Sequence, residues 1–258
     1  MNFKKYDSIE NTYRQKYIDY IINYELTEGE WVVSEKVHGS NFAIYYNGTT
    51  IKAAKRTAFI NDGANFFGSD IIVEEFTPII KKMYDYIISN NIEQKNKGDF
   101  DMIVHGEIFG GYYAHPDVQK TNAKKVQKGI SYSPNNEFYP FDIQVDNSYI
   151  SYDHFEEMCK QCKVRTYAKS LFRGTFQECL DFPNAFNSTI PAMIGNLPEI
   201  KENTCEGVVI KPCIAKYYQT GSRIILKNKN AKWSEDNASI KVERKKIALS
   251  DEAQKIFN

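Results

Sequence analysis

Lys36 stands between two apolar runs, Glu30-Trp31-Val32-Val33 and Phe42-Ala43-Ile44-Tyr45-Tyr46, and is followed by Val37-His38-Gly39-Ser40-Asn41. Both runs read as strands, so the lysine falls at a strand end where Gly39 lets the backbone turn. Alone, a strand-end lysine is an ordinary surface residue. Its one distinctive chemistry is nucleophilic attack, which needs the neutral amine. Free lysine has a pKa of about 10.4, so removing its proton at pH 7 costs roughly 4 to 5 kcal/mol. Desolvation and neighbouring positive charge lower that cost. Further along come Lys55-Arg56, Gly106-Glu107, Phe141-Asp142, Glu206-Gly207 and then Lys227 and Lys229, each at a strand end or edge. Glu107 enters the last third of an apolar run, where a carboxylate needs a hydrogen-bond or metal partner.

The elements that must position these groups follow from periodicity. Tyr13, Tyr17, Tyr20/Ile21 and Tyr24 recur at helical spacing and predict a packing helix over 13–24. Short strands are predicted at 31–36, 41–46 and 50–55, the last two joined through Asn47-Gly48-Thr49, a strong hairpin signal. That hairpin is expected to lay Lys55-Arg56-Thr57 alongside the Lys36 strand. A helix over 71–89, bent or interrupted at Pro78, and a polar connector over 90–99 precede a buried strand at 101–109. The aromatic run 138–145 reads as a strand, irregular or at an edge because Pro140 lacks a donor. Helices at 154–160 and around 176–180, and strands at 163–167, 206–211 and 223–229, complete the pattern. Cys159 and Cys162 have metal or redox spacing, but with no second pair nearby they read as thiols on a helix face.

With 258 residues, 42% hydrophobic and 14% aromatic, the chain is a folded protein with a substantial core. Its net charge of zero conceals a basic stretch: Arg223 to Lys246 holds eight basic residues against three acidic ones. Such a stretch suits a phosphate-rich partner or a solvated face. No apolar run has signal-peptide or membrane-span length, and five cysteines fit a reducing compartment, so an intracellular, cytoplasmic protein is expected. Richness in Asn, Lys, Ile and Tyr suits an AT-rich genome, a viral one among the options.

The ordered series resembles the covalent nucleotidyltransferase superfamily of polynucleotide ligases and messenger-RNA capping enzymes, with Lys36-Val37-His38-Gly39 similar to its nucleophile motif. DNA ligases and capping enzymes typically carry aspartate where this chain has His38. Glu35 to Phe42, Gly106 to Gly111, Tyr132-Ser133-Pro134-Asn135 and Phe138 to Ile143 look like the branch of phage RNA ligase 2 and the kinetoplastid RNA-editing ligases. The resemblance covers about residues 30–230. It implies an α+β nucleotidyltransferase (ATP-grasp-like ligase) fold, two antiparallel sheets flanked by helices with ATP in the cleft between them.

The resemblance further implies an ATP-dependent RNA ligase. Lys36 would carry AMP covalently, pass it to an RNA 5′-phosphate, and a 3′-hydroxyl would displace it. Glu35 and Val37 would meet the adenine edge, largely through backbone groups. Asn41 and Arg56 would contact ribose and phosphates, Glu107 a ribose hydroxyl, and Phe141 the adenine face. Lys227 and Lys229 would grip the α-phosphate, Glu206 would bind Mg²⁺ or Mn²⁺, and His38 would assist a later step or orient the RNA end. The expected substrate is RNA with 5′-phosphate and 3′-hydroxyl ends, nicked in a duplex, with a role in RNA repair. Only 28 residues follow Asn230, fewer than an added domain needs. Residues 1–230 are therefore expected to form the adenylyltransferase domain. Residues 231–258 would be a basic segment opening a further domain, or leading to a partner protein acting in trans. A capping-type guanylyltransferase and a catalytically silent RNA-binding module are the rival readings.

Overall fold

The computed structural model describes residues 1–92 and 100–233. Its strands are β1 (Glu10–Asn11), β2 (Trp31–Glu35), β3 (Ser40–Tyr46), β4 (Ile51–Lys55), β5 (Ala58–Phe59), β6 (Met102–Gly110), β7 (Asn136–Val145), β8 (Ser148–Tyr149), β9 (Ser170–Gly174), β10 (Gly207–Pro212) and β11 (Leu226–Lys229). The helices are α1 (Gln15–Asn23), α2 (Ser69–Asn90), α3 (Tyr152–Gln161), α4 (Phe176–Leu180) and α5 (Ile190–Ile194).

The strands form two sheets, ordered β1-β11-β10-β2-β9 and β5-β4-β3-β6-β7-β8. The second is antiparallel throughout. The first departs from the antiparallel expectation at one edge, where β1 runs parallel to β11. No hairpin joins these two strands. β1 comes from the N-terminal segment and adds to the sheet from outside.

Alternation along each strand decides what faces the cleft. In β2, Trp31 and Val33 join Val208, Ile210, Leu226, Ile21 and Phe176 in a core beneath α1 and α4. Ser34, on the opposite pleat, lines a cavity between the sheets. In β3 and β6, Phe42, Ile44, Met102 and Val104 pack with Ile80, Met83 and Ile87 of α2, and with Phe155 and Met158 of α3. That leaves Asn41 and Glu107, cross-strand partners, on the cleft side.

Several expectations change. α1 packs through Ile18 and Ile21 with Tyr17 and Tyr20 partly buried against the same core, as expected for the middle of the segment, while Tyr13 and Tyr24 stay exposed. α2 runs unbroken through Pro78. The hairpin forms with Asn47 Oδ1 accepting from Thr49 N and Thr50 N, but it pairs β4 with β3, so Lys55 lies opposite Phe42 and not beside the Lys36 strand. No strand forms at 163–167. That segment runs beside β7 through single bonds, Ala168 N to Pro140 O and Thr166 Oγ1 to Phe138 O, and the true strand is β9. Only the second half of 223–229 pairs as β11. Cys159 and Cys162 are free and buried in the core. The connector over 93–99 and the basic segment from 234 lie outside the described residues.

Candidate active site

Lys36 lies in the four-residue link from β2 to β3, which carries the chain from one sheet to the other. One end of the link is tied by Lys36 N donating to Gly207 O at 2.9 Å. At the other end, a Cβ on Gly39 would sit 2.1 Å from Ile108 O and 2.9 Å from Glu107 Cγ. Only glycine allows the link to lie this close to β6, so Gly39 sets how near Lys36 and Glu107 come to each other.

Glu206 is the electrostatic centre. Its Oε2 accepts from Lys36 Nζ at 2.8 Å and faces His38 Nδ1 at 3.5 Å, while Oε1 pairs with Lys229 Nζ at 3.1 Å. Burial pushes its carboxyl up. The His38 hydrogen bond and the Lys36 and Lys229 charges more than reverse this and hold it at about 2. Glu107 goes the other way. Burial, reinforced by the Glu206 charge, lifts it to about 7 against the pull of Lys36, the Gly39 N–H and Arg56. Near neutrality its carboxyl can therefore both donate and accept a hydrogen bond.

A cavity of about 430 Å³ opens beside Lys36 between the two sheets. Seven of the sequence-predicted residues line it: Glu35, Lys36, Val37, Asn41, Arg56, Glu107 and Phe141. Glu35 does so without its carboxylate, which accepts from Ser188 Oγ at 2.6 Å and from Thr189 N and Oγ1, both at 2.7 Å. Burial raises that carboxyl, and these three donors partly restrain it. The pleat explains the orientation, since Glu35 shares the parity of Trp31 and Val33 and points out of the cleft. Its side chain fastens the turn before α5, leaving the backbone for the cavity.

His38, Glu206, Lys227 and Lys229 stand outside the cavity wall. Lys227 lies on β11 opposite Val209 of β10, itself opposite the cavity residue Ser34, so Lys227 shares the cleft face.

Sequence reasoning missed part of the wall. Tyr6, Ile9, Val209 and Lys211 also line the cavity. Alternation over Gly207, Val209 and Lys211 carried the signal for the last two. Nothing local marked Tyr6 and Ile9, whose place depends on β1 joining β11.

Behind Phe141 lies a closed cluster. Asp142 pairs with Arg223 at 2.7 Å and Lys211 at 3.0 Å and accepts from Tyr6 Oη at 2.6 Å. Burial alone would raise its carboxyl, but Arg223, Lys211 and Tyr6 outweigh that and bring it to about 2. Lys211 Nζ also donates to Phe141 O at 2.8 Å, and the Tyr6 ring meets Phe141 edge-on at 4.9 Å. The cluster thus holds Phe141, one of the aromatic residues lining the cavity, in place. Arg223, counted in the basic stretch, is a buried ion-pair partner and not a solvated charge.

The chain matches the RNA ligase family model over residues 29–229. The chain belongs to the RNA ligase family. All eleven predicted site residues lie within the matched span, whereas Tyr6 and Ile9 precede it. The chain is 34% identical over 216 residues to RNA-editing ligase 1, mitochondrial, of Trypanosoma brucei brucei, covering 72% of this chain and 45% of that protein. It is 30% identical over 233 residues to RNA-editing ligase 2, mitochondrial, of the same organism, covering 81% and 55%. It therefore spans about half the length of these RNA ligases. Among solved structures, a mutant Naegleria gruberi RNA ligase with ATP and Mn aligns with a TM-score of 0.57 at 15% identity, covering 90% of this chain and 58% of that one. The same enzyme with PPi aligns at 0.55 and 16%, covering 92% and 58%. These structural likenesses show the fold, an α+β arrangement of two sheets flanked by helices.

Proposed function

We propose that the chain is the adenylyltransferase part of an ATP-dependent RNA ligase that works through a lysyl-AMP intermediate on Lys36. The observation that carries this is the placement of Lys36, paired to Glu206 at 2.8 Å on the wall of a cavity that also holds Phe141, Glu107 and Arg56.

The cavity suits a nucleotide. Phe141 offers an aromatic face and Val37 an apolar edge for adenine. Glu107, poised near neutrality, suits a ribose hydroxyl, and Asn41 and Arg56 suit ribose and phosphate oxygens. In the first step the Lys36 amine attacks the α-phosphate of ATP, a phosphorus–nitrogen bond forms and pyrophosphate leaves. Opening the Lys36–Glu206 pair and passing the lysine proton to solvent must precede attack. Lys227 and Lys229, on the cleft face of β11, neutralise the charge that builds on the α-phosphate. In the second step the RNA 5′-phosphate takes AMP from Lys36. In the third, a 3′-hydroxyl attacks that phosphate and AMP leaves.

Glu206 suits a divalent metal because its carboxyl stays ionised, and Mg²⁺ or Mn²⁺ there would act as a Lewis acid toward the phosphate. Among the described residues no group of three or more metal-ligating side chains exists, so the remaining ligands would come from phosphate and water. His38, 37% exposed and outside the cavity wall, is open to a second substrate and is assigned to the transfer to RNA.

Nicked duplex RNA is the proposed substrate, and RNA repair the proposed role. The adenylyltransferase role is assigned to residues 1–230. The five free, buried cysteines support work inside the cell, in the cytoplasm. Incubation with α-labelled ATP and Mg²⁺ tests the reading. An acid-labile, alkali-stable label on the wild type that is absent from Lys36→Ala supports it, and an unlabelled wild type or a labelled Lys36→Ala contradicts it. GTP in place of ATP should give no label.

A further inference from the structure

Past β11 the chain stays at the cleft. Asn230 N donates to Glu206 O at 3.2 Å, and the Asn230 side-chain amide donates to Cys205 O. Lys232 N then bonds Asn230 Oδ1, and Trp233 N bonds Asn230 O, both at 3.0 Å. The result is a tight turn pinned to the segment that carries Glu206.

This turn lays Trp233 on His38, ring centroids 4.7 Å apart and planes tilted by 50°. Gly129 seats the indole from a third element. A Cβ there would come within 2.9 Å of the ring, and its φ of +83° favours glycine independently. Lys232 Nζ closes the seat by donating to Gly129 O at 3.0 Å. His38 is thereby held in three ways. Its backbone N–H donates to Tyr132 Oη at 3.0 Å, its Nδ1 faces Glu206 at 3.5 Å, and its ring face meets Trp233.

We propose that Trp233 is a positioning residue for His38, fixing the imidazole plane so that Nδ1 stays on Glu206 and the Nε2 edge is turned toward the incoming RNA end. A side chain at the cleft rim with two free torsions would otherwise sample several rotamers, most of them facing away from the phosphate. The assignment to a step rests on the ligase reading; the contact itself does not. Trp233 does not itself line the cavity and meets the ring of His38, so its influence falls on transfer of AMP to RNA more than on loading of Lys36.

The test uses the 258-residue chain and its Trp233→Ala, Trp233→Phe, His38→Ala and doubly substituted forms. Lysyl-AMP formation and AMP transfer from preloaded enzyme to 5′-phosphorylated nicked RNA are timed separately. Trp233→Ala should slow transfer roughly 10- to 100-fold, with loading held within about twofold. Trp233→Phe should restore most of the rate, and the double variant should be no slower than His38→Ala alone. Multiplying effects in the double variant, or equal loss in both steps, would overturn the proposal. A second arm needs no ligase activity. The chain has two tryptophans, so the emission of wild type minus Trp233→Phe isolates Trp233. That difference spectrum should shift in His38→Ala, and an unchanged spectrum would refute the contact even if no lysyl-AMP ever formed.

Discussion

Glu206 and Asp142 are both buried carboxylates, each 3% exposed and each surrounded by two cationic side chains and a further polar group. Both carboxyls are held at about 2. Their partners differ. Around Asp142, Lys211 is 4% exposed and Arg223 2%, so the pairing is shielded from solvent even though Lys211 and Tyr6 border the cavity. Around Glu206, Lys36 is 19% exposed, Lys229 17% and His38 37%. A sealed ion pair cannot exchange partners without stranding a charge in a low dielectric, which makes it a scaffold. An open one can hand its cations to an arriving phosphate. The same chemistry therefore fixes Phe141 at one end of the cleft and stays available for reaction at the other.

The comparison can be broken by removing each carboxylate. Asp142→Ala leaves Arg223 and Lys211 buried and unpaired and should cost about 3–5 kcal/mol of stability, measured by denaturant unfolding. Glu206→Gln should cost less than about 1 kcal/mol, because its cations reach solvent, while suppressing lysyl-AMP formation at least a hundredfold. Comparable destabilisation by the two would end the distinction.

Acid sharpens it. Asp142 is depressed from 3.8 to about 2, so its pairing stabilises the fold above about pH 4, and that contribution is lost as pH falls through 2. The acid limb of a melting-temperature profile should flatten in a stabilised Asp142→Asn background relative to wild type. Glu107 has the opposite sign. Raised from 4.5 to about 7, its carboxyl favours the fold below pH 4.5 and penalises it as pH rises through 7. Glu107→Gln should therefore raise the melting temperature at pH 8 by a few degrees and leave it unchanged at pH 4.5. An equal shift at both values would show that Glu107 is not strained by burial.

Much of this was legible in the sequence, and the gaps have physical causes. The Asn47-Gly48 turn and the apolar runs at 102–110 and 207–212 follow from turn chemistry and residue type, while the cleft place of Glu107 is implied by the family resemblance. Periodicity tells which face a residue takes but not which strand lies beside it. Lys55 is accordingly expected beside β2 but pairs in the other sheet, and Arg223 is expected on a phosphate-facing or solvated stretch but is buried against Asp142. Glu35 shows the same limit at a single residue. Its position beside Lys36 was right, but the destination of its carboxylate depends on Ser188 and Thr189, over 150 positions away. Tyr6 and Trp233 lie at the two ends of the described chain and acquire roles only through contacts that close the fold.

The central claim is that Lys36 is the nucleophile loaded from the cavity it lines. The most direct measurement is the intact mass of the protein after incubation with ATP and Mg²⁺, followed by peptide mapping. The account predicts one added AMP, carried on Lys36 and lost in Lys36→Ala. An unmodified protein, or an adduct on any other residue, would contradict it.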